Sequence, residues 1–285
     1  MTTIESEEIT MIKKHLLITV AHMTAMFTII GSRISCGQSE NKSDQITPQS
    51  YERNLTVDFG GSVTMQFVLI QAGLFTMGSD KGVSTENPFH KVTISKPFYL
   101  GKYTVTQEQW QQIMGYNPSR SKGAKKPVEQ VSWNDCHKFL TKLNEKIMGR
   151  HFRLPTEAEW EYACRAGSNG DYNYESGRLD ENAWYISNAG FRSHPVGEKK
   201  PNAWGLYDMH GNVWEWCQDV YHKTYEGAPT DGSARTQGGE SDRVLRGGSW
   251  GDSAPSLRSA SRIANYPDGR QDVFGLRVAM DVGTP

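Results

Sequence analysis

The sequence predicts a loop-rich α+β protein built from a single domain, and three observations support this prediction. Three segments begin with the same helix-start signal, a hydroxyl residue followed three positions later by an acidic or amide residue. Short apolar or alternating runs, which are typical of β-strands, occur on both sides of these segments. The 285 residues include 28 Gly, 8 Trp and 12 Tyr, a composition that favours long ordered loops with aromatic anchors over a helical bundle.

The three helix starts resemble capping boxes. In this motif the hydroxyl accepts a hydrogen bond from a free N–H of the first turn, and the acidic or amide side chain bonds back to the cap. The second start has Asp where Glu is usual, and Pro155 precedes the third. The three pairs are Thr106 with Gln109, Ser132 with Asp135, and Thr156 with Glu159.

β-Strands are predicted where apolar runs are short and are bounded by Gly, Pro or polar clusters. The run 67–79 contains two apolar stretches separated by Gly73 and predicts a β-hairpin. The run 91–106 predicts a strand, a bend and a second strand, and further short strands are expected at 242–248 and 274–280. The sequence contains no internal repeat that would indicate a second domain.

The N-terminal segment is predicted to be a secretion signal rather than part of the fold. Lys13 and Lys14 precede a mostly apolar stretch, 16–30, that is short for a membrane span. Cys36 lies in a loose lipobox and would be lipidated after cleavage; plain secretion and an uncleaved start are the alternatives. We therefore expect a signal over 1–36, a polar flexible tether over 37–60, and one domain over 61–285 held at the cell surface or outer membrane.

The overall charge and the cysteines argue against some classes of function. The chain has a formal net charge of -1 and a pI of about 6.7, whereas nucleic-acid-binding proteins usually carry a basic excess. No two of the four cysteines form a CxxC pair, which argues against a zinc knuckle. Cys136, Cys164 and Cys217 are expected to be buried free thiols, with disulfides as the alternative.

Several longer motifs resemble one protein family. They are FVLIQAGLFTMGS, KYTVTQEQW, PVEQVSWNDC, RLPTEAEWEYACRAG, NAWGLYDMHGNVWEW and RVLRGGSW, followed by RSASR and GLRVA. In order and in content they are similar to the formylglycine-generating-enzyme-like (sulfatase-modifying factor) domain, and they cover about residues 62–281. The resemblance implies a C-type-lectin-like fold of an irregular, expanded kind.

The resemblance does not extend to the catalytic cysteines of that family. In its copper-dependent enzymes, two cysteines just after the GGS[WY] motif bind the metal, because Cu(I) prefers thiolate ligands. Residues 251–257 of this chain read GDSAPSL and contain no cysteine. We therefore expect no formylglycine synthesis. The related iron-dependent sulfoxide synthases use histidines from an added helical domain, for which we expect this chain to lack room.

One branch of the family is more similar to this sequence, namely the variable proteins of diversity-generating retroelements, some of which are spirochaete-type surface lipoproteins. In these proteins a fixed scaffold similar to RVLRGGSW surrounds positions that an error-prone reverse transcriptase mutates at adenines of AAY codons. Such codons cannot become Lys, Glu, Gln, Met or Trp. Of these five types only Gln271 occurs between Gly251 and Phe274, where about five or six are expected from composition. This depletion favours a variable segment over 251–273, although a Gly/Ser-rich loop can show it by chance.

The predicted variable positions have the composition of an adaptable binding surface, in which Tyr supplies contact area and Ser, Gly and Asn supply hydrogen bonds. We expect them to share one exposed face, while arginines and leucines between them anchor the scaffold. The predicted ligand-binding residues are Gly251, Asp252, Ser253, Ile263, Ala264, Asn265, Tyr266, Gly269, Asp272 and Val273, with Trp250 beside them. The predicted anchors are Arg246, Arg258, Arg262, Arg270, Arg277, Leu257 and Leu276.

The resemblance also implies a structural calcium site in YDMHGNVWEW, because a similar segment of the family supplies oxygen ligands of the kind that calcium prefers. The alternative is an acidic loop satisfied by backbone N–H groups and Trp packing. A second family site would use Asn182 and the Ala183 carbonyl, and no other cofactor is expected. Carried over to this chain, the first set consists of the Asp208 side chain, the Gly211 and Val213 carbonyls and the Glu215 carboxylate.

These inferences predict a surface-displayed, non-catalytic binding protein whose ligand specificity is set by residues 251–273. The expected partners are an unknown protein or surface ligand and, through a lipid anchor, the membrane; nucleic acid is not expected, and the protein is expected to be a monomer. Two alternatives remain open. One is an envelope scaffold lipoprotein with fixed partners, and the other is an unrecognised enzyme of the same family.

Overall fold

The computed structural model describes residues 51–175 and 177–283. The predicted signal, its Cys36 and the tether up to residue 50 lie outside the described residues. Within the described part of the chain, no helix is both long enough and apolar enough to cross a membrane.

The described chain folds into eleven strands and four α-helices. The strands are β1 (Asn54–Asp58), β2 (Thr64–Ile70), β3 (Gly73–Met77), β4 (His90–Ile94), β5 (Phe98–Gly101), β6 (Phe152–Arg153), β7 (Trp214–Val220), β8 (Arg243–Arg246), β9 (Arg262–Asn265), β10 (Phe274–Leu276) and β11 (Ala279–Asp281). The helices are α1 (Gln107–Met114), α2 (Trp133–Lys146), α3 (Glu157–Arg165) and α4 (Leu179–Asn182).

A five-stranded antiparallel sheet has the order β1-β2-β5-β11-β6. Its first strand corrects the predicted domain boundary. β1 pairs with β2 along its whole length, from Asn54 opposite Val68 to Asp58 opposite Thr64. Residues 54–60 were predicted to belong to the flexible tether, and for them that prediction is wrong. Leu55 and Val57 alternate along β1 and pack against the core. The strand was not predicted because most residues around these two are polar.

The predicted hairpin over 67–79 is also wrong. β2 lies between β1 and β5, whereas β3 pairs with β4 in a separate two-stranded sheet. The chain changes sheets at Gly73, where an added Cβ would lie 2.2 Å from the Tyr162 hydroxyl. The predicted strand at 274–280 likewise divides into β10 and β11, which belong to different sheets. Local sequence marks where these strands start but does not identify their partners.

All three predicted capping boxes are confirmed, at the N-termini of α1, α2 and α3. The weaker motif is among them. The Asp135 N–H donates to the Ser132 hydroxyl at 3.1 Å, and the Ser132 N–H donates to the Asp135 carboxylate at 3.2 Å. Because these contacts lie within four residues, the sequence motif is sufficient to locate each helix start.

A four-stranded sheet of order β10-β7-β8-β9 separates two hydrophobic clusters. Since successive side chains of a strand point to opposite faces, Trp216 and Leu245 enter one cluster while Cys217 and Val244 enter the other. α2 packs in the first cluster and α3 in the second. This sheet holds both ends of the predicted variable segment, which begins after β8, contains β9 and ends at β10.

Cys136, Cys164 and Cys217 are free and buried, as predicted. Burial raises the pKa of the Cys164 thiol to about 12 and raises the pKa values of the Cys136 and Cys217 thiols well above their ordinary value. All three are therefore protonated near neutral pH, and a protonated thiol is neither a nucleophile nor a good metal ligand.

Candidate ligand-binding face

The chain between β8 and β10 alternates between anchored and exposed residues. Leu257 and Leu276 have no solvent exposure, so both predicted hydrophobic anchors are confirmed. Leu257 closes a short 3₁₀ turn, Ala254–Leu257, in which Pro255 supplies a backbone conformation suited to a first turn. The turn carries the chain from the surface into the buried stretch 259–262.

The five predicted arginine anchors each pair with a carboxylate, which confirms the loop-tethering role expected for them. Each pair joins this C-terminal segment to a distant part of the chain, so the segment cannot move without breaking an ion pair. The pairs are Arg246 with Glu161, Arg258 with Glu86, Arg262 with Glu157, Arg270 with Asp135, and Arg277 with Glu215.

Arg246 holds the segment through several contacts at once. Its side chain has no solvent exposure, and its guanidinium bonds the Glu161 carboxylate. The same guanidinium donates to the Ala260 carbonyl at 2.7 Å and the Ser261 carbonyl at 2.6 Å. A planar guanidinium can hold a carboxylate and two carbonyls at once, which a lysine ammonium cannot do in the same geometry. The backbone just before β9 is thereby fixed.

None of the ten predicted variable residues is buried. Gly251, Ser253 and Tyr266 are exposed, and the remaining seven are partly exposed, as is Trp250. Tyr266 is the most prominent, with 68% of its surface accessible. The arrangement is compatible with a binding face, and binding by these residues remains a prediction.

One group of these residues gathers around Trp250. The Trp250 indole N–H donates to the Asp272 carbonyl at 3.1 Å, and Val273 lies beside Gly251. The Asp272 carboxylate forms an ion pair with Arg120 at 2.9 Å. The two ends of the segment are therefore brought together around one indole ring.

A second group lies at the end of β9. The Gly269 N–H donates to the Tyr266 carbonyl at 2.8 Å, and an added Cβ at Gly269 would lie 1.9 Å from the Asn265 side-chain oxygen. The chain then returns to the first group over the start of α2, where the Asn134 N–H donates to the Pro267 carbonyl at 3.1 Å. The stretch 267–271, held against the start of α2 by this bond, thus connects the second group to the first.

Three of the ten residues also contribute to the fold. The Asp252 carboxylate accepts a hydrogen bond from the Trp214 indole at 2.8 Å and another from the Ser249 hydroxyl. Ile263 and Val273 pack against the first hydrophobic cluster. Substitution at these three positions therefore has a larger effect on stability than substitution at Ser253 or Tyr266.

One of the implied calcium ligands, the Glu215 carboxylate, already has several hydrogen-bond donors. The Glu215 carboxylate has no solvent exposure and accepts hydrogen bonds from Thr104 at 2.7 Å, from Trp160 at 2.7 Å, and from Arg277 at 2.8 and 2.9 Å. The guanidinium already supplies the positive charge that a calcium ion would bring. Asp208 is also buried, and its carboxylate accepts the Gly197 N–H at 2.8 Å.

The other implied ligands of this site lie in packed surroundings. The Gly211 N–H donates to the Gly247 carbonyl, and Val213 is buried just before β7. At the second implied site, the Asn182 amide donates to the Arg178 carbonyl at 2.6 Å, and the Ala183 carbonyl accepts from Asn188 at 2.9 Å. Among the described residues, no group of three or more His, Cys, Asp or Glu side chains could hold a metal ion.

The structure adds residues that the sequence did not single out. Arg120 reaches Asp272, and the Ile186 N–H donates to the Asp252 carbonyl at 3.0 Å, so an exposed isoleucine borders the first group. Arg243 lies opposite Asn265 in the pairing of β8 with β9. Arg120 and Ile186 are far away in sequence. Only Arg243 lies in a quoted motif, RVLRGGSW, which could have indicated it.

Comparisons with known proteins by sequence and by structure identify the same family. A family model described as the sulfatase-modifying factor enzyme 1-like domain matches residues 61–282. The solved structure of Treponema denticola variable protein 1 aligns with a TM-score of 0.75 and 32% identity, covering 81% of this chain and 100% of that chain. PvdO from Pseudomonas aeruginosa aligns with a TM-score of 0.74 and 32% identity, covering 82% and 100%.

Curated relatives include proteins of different activity. The chaperone protein LppX of Paenibacillus barcinonensis is 34% identical over 268 residues, which are 75% of this chain and 87% of LppX. The formylglycine-generating enzyme of Streptomyces coelicolor is 35% identical over 197 residues, 60% of each chain. The inactive C-alpha-formylglycine-generating enzyme 2 of Mus musculus is 33% identical over 198 residues, 64% of this chain and 58% of the relative. The family thus contains both active enzymes and inactive members.

The matched motifs, the fold and these relatives show that the chain belongs to the formylglycine-generating-enzyme-like (sulfatase-modifying factor) family, with a C-type-lectin-like α+β fold.

Proposed function

We propose that this protein is a non-catalytic ligand-binding protein whose specificity is set by residues 251–273 and is diversified by a retroelement. One observation carries the proposal. The five predicted arginine anchors are ion-paired, the two predicted leucine anchors are buried, and all ten predicted variable positions between or beside them keep solvent exposure. Such a division lets positions without core contacts, such as Ser253 and Tyr266, change without loss of the core.

Two further features support a binding role over the oxidative chemistry of the family. No cysteine occurs in 251–257, where the copper-dependent enzymes have two. Burial keeps the three described thiols protonated, and they lie in α2, α3 and β7 rather than in this segment. The similarity to Treponema denticola variable protein 1 also supports a variable binding role, since that protein is named for its variability.

The proposed protein acts at a surface. Lipidation at Cys36 anchors it to the cell surface or outer membrane, with secretion as the alternative, and the domain works as a monomer without a required cofactor. Replacement of Cys36 by Ser then releases the protein from the membrane fraction into the soluble fraction. Retention of the C36S protein in the membrane fraction would argue against lipid anchoring.

A second candidate function is that of an envelope scaffold or assembly protein with a fixed partner. It is favoured by the similarity to LppX, which is named a chaperone and is matched over 87% of its length. A fixed partner requires a constant face, whereas the first proposal requires a changing one. The two functions therefore make opposite predictions about the same codons.

The test is deep sequencing of the 3′ end of the gene across isolates and passaged cultures. The proposal predicts substitutions confined to the codons for 251–273 and located at template adenines. The codons for RLPTEAEWEYA, residues 153–163, serve as the internal control because they encode the buried α3. Codons for 251–273 as constant as the control codons would reject diversification and favour the fixed-partner function.

A further inference from the structure

Arg243 differs from the arginines that anchor the C-terminal segment. Each of those pairs with a carboxylate, but within residues 51–175 and 177–283 the Arg243 guanidinium has neither an ion-pair partner nor a hydrogen-bond acceptor. Its Nε atom is buried without a partner. The guanidinium carbon lies 4.2 Å from the centroid of the Trp133 ring. This half-buried cation therefore lies against an aromatic face, which attracts it electrostatically.

A second unpartnered polar atom lies beside the same indole. The His137 ring is centred 3.8 Å from the Trp133 ring, and its Nε2 atom is buried without a hydrogen-bond partner. Burial, together with repulsion from Arg243, lowers the pKa of His137. The imidazole is therefore neutral near pH 7 and adds no second positive charge beside Arg243.

The neighbouring carboxylate does not neutralise Arg243. Asp219 is the acidic group whose charge acts on Arg243, but no ion pair joins the two. The Asp219 oxygens instead accept the Glu157 N–H and the Arg235 N–H, each at 2.7 Å. Burial raises the pKa of Asp219 to about 7, so its negative charge is incomplete at neutral pH.

The position of Arg243 connects it to the predicted ligand-binding face. Arg243 on β8 lies directly opposite Asn265 on β9. Side chains of directly opposed residues in an antiparallel pair point to the same side of the sheet and lie close together. Asn265 is one of the predicted variable positions, and exposed Tyr266 follows it. The unpaired guanidinium therefore borders the face at a fixed place whatever residue occupies position 265.

We propose that Arg243, supported by Trp133 and with His137 beside it, is a fixed carboxylate-binding subsite of the ligand-binding face. Its occupant is an exposed Asp or Glu side chain of a protein ligand. A guanidinium binds a carboxylate through two parallel N–H···O bonds, and a half-buried site strengthens such bonds. The inference rests on the proposed function for the identity of the partner, but the anion site itself can be tested without a partner.

The test titrates the ¹⁵N-labelled full chain with sodium acetate while the Arg side-chain Nε–H and Trp indole N–H signals are followed by NMR. Sodium chloride at equal ionic strength is the reference, and sodium sulfate is the second probe. We expect a saturable shift of the Arg243 Nε–H signal and of the Trp133 indole signal with acetate, and no saturation with chloride. The Arg243→Lys variant keeps the charge but loses the planar fork, so its dissociation constant for acetate, followed at Trp133, rises about tenfold.

Arg178→Lys is the matched control, because Arg178 is an exposed arginine outside the residues assigned to the face and already pairs with Glu181. Acetate affinity unchanged in this variant supports the assignment. Equal responses to acetate and chloride, or the same affinity in R243K as in the unmodified chain, would overturn the subsite. Saturation with sulfate alone would overturn the assignment to a carboxylate. None of these readouts depends on whether residues 251–273 vary, so the subsite and the proposed function can fail separately.

Discussion

At the level of single residues, the C-terminal segment is held by charges that have almost no contact with water. The side chains of Arg246, Arg277, Glu161 and Glu215 are each at most 1% exposed. Buried pairs of this kind add little net stability compared with apolar packing, but removing one partner leaves a charge without compensation. Their effect is to fix one arrangement of the loops.

Replacing Arg246 with Ala should therefore lower the free energy of unfolding by about 3 kcal/mol, because the Glu161 carboxylate and two backbone carbonyls lose their donor. Arg120→Ala is the control. It removes an ion pair whose arginine is 78% exposed and should cost less than about 1 kcal/mol. Urea unfolding followed by circular dichroism measures both variants. If R246A fails to fold, R246K gives the comparison, and equal costs for the Arg246 and Arg120 variants would contradict the anchoring role.

At the level of elements, each helix start is specified locally. The α2 cap places Ser132, which has no solvent exposure, within hydrogen-bonding distance of Asp135. Ser132→Ala should lower the free energy of unfolding by about 1 kcal/mol, because one N–H of the first turn loses its acceptor. Thr141→Ala, on the exposed side of the same helix, should change it by less than about 0.5 kcal/mol. A Ser132→Ala effect no larger than that of Thr141→Ala in urea unfolding would show that the box does not stabilise α2.

The same locality explains which parts of the fold could be predicted from sequence. The capping boxes at Thr106, Ser132 and Thr156 were predictable because every interacting group lies within four residues. The hairpin at 67–79 was not, because the pairing of β2 with β5 depends on residues some thirty positions later. The arginines of the C-terminal segment were recognisable as anchors, but their carboxylate partners, Glu86 for Arg258 among them, are set by tertiary structure alone.

The candidate site was also predictable from the sequence only in part. Exposure of the ten predicted variable positions could be anticipated, because most of them are small or polar. The neighbours supplied by other loops, Arg120 and Ile186, could not be anticipated, because no periodicity links them to this segment. The unpaired state of Arg243 is also invisible in the sequence, since it depends on where every carboxylate of the fold lies.

At the level of the whole molecule, the structure predicts stability without calcium. Arg277 supplies the charge that the buried Glu215 requires, so the thermal unfolding midpoint should be the same in millimolar calcium as in EDTA. Differential scanning calorimetry of the full chain measures this. A ligand that binds only the folded state raises the midpoint with its concentration. A rise of several degrees with calcium would show that the implied ligands bind the ion after all.

β11 follows the segment 251–273 in the chain, yet it lies between β5 and β6 in the five-stranded sheet. A nucleotide gained or lost in the preceding codons would therefore alter an interior strand rather than a dispensable tail. Such a product would leave β6 without a strand partner and β5 with one unpaired edge, and we expect it to be degraded by proteases. The fold therefore requires that the segment before β11 stay in frame. Under the proposed diversification, only in-frame versions of the product would fold.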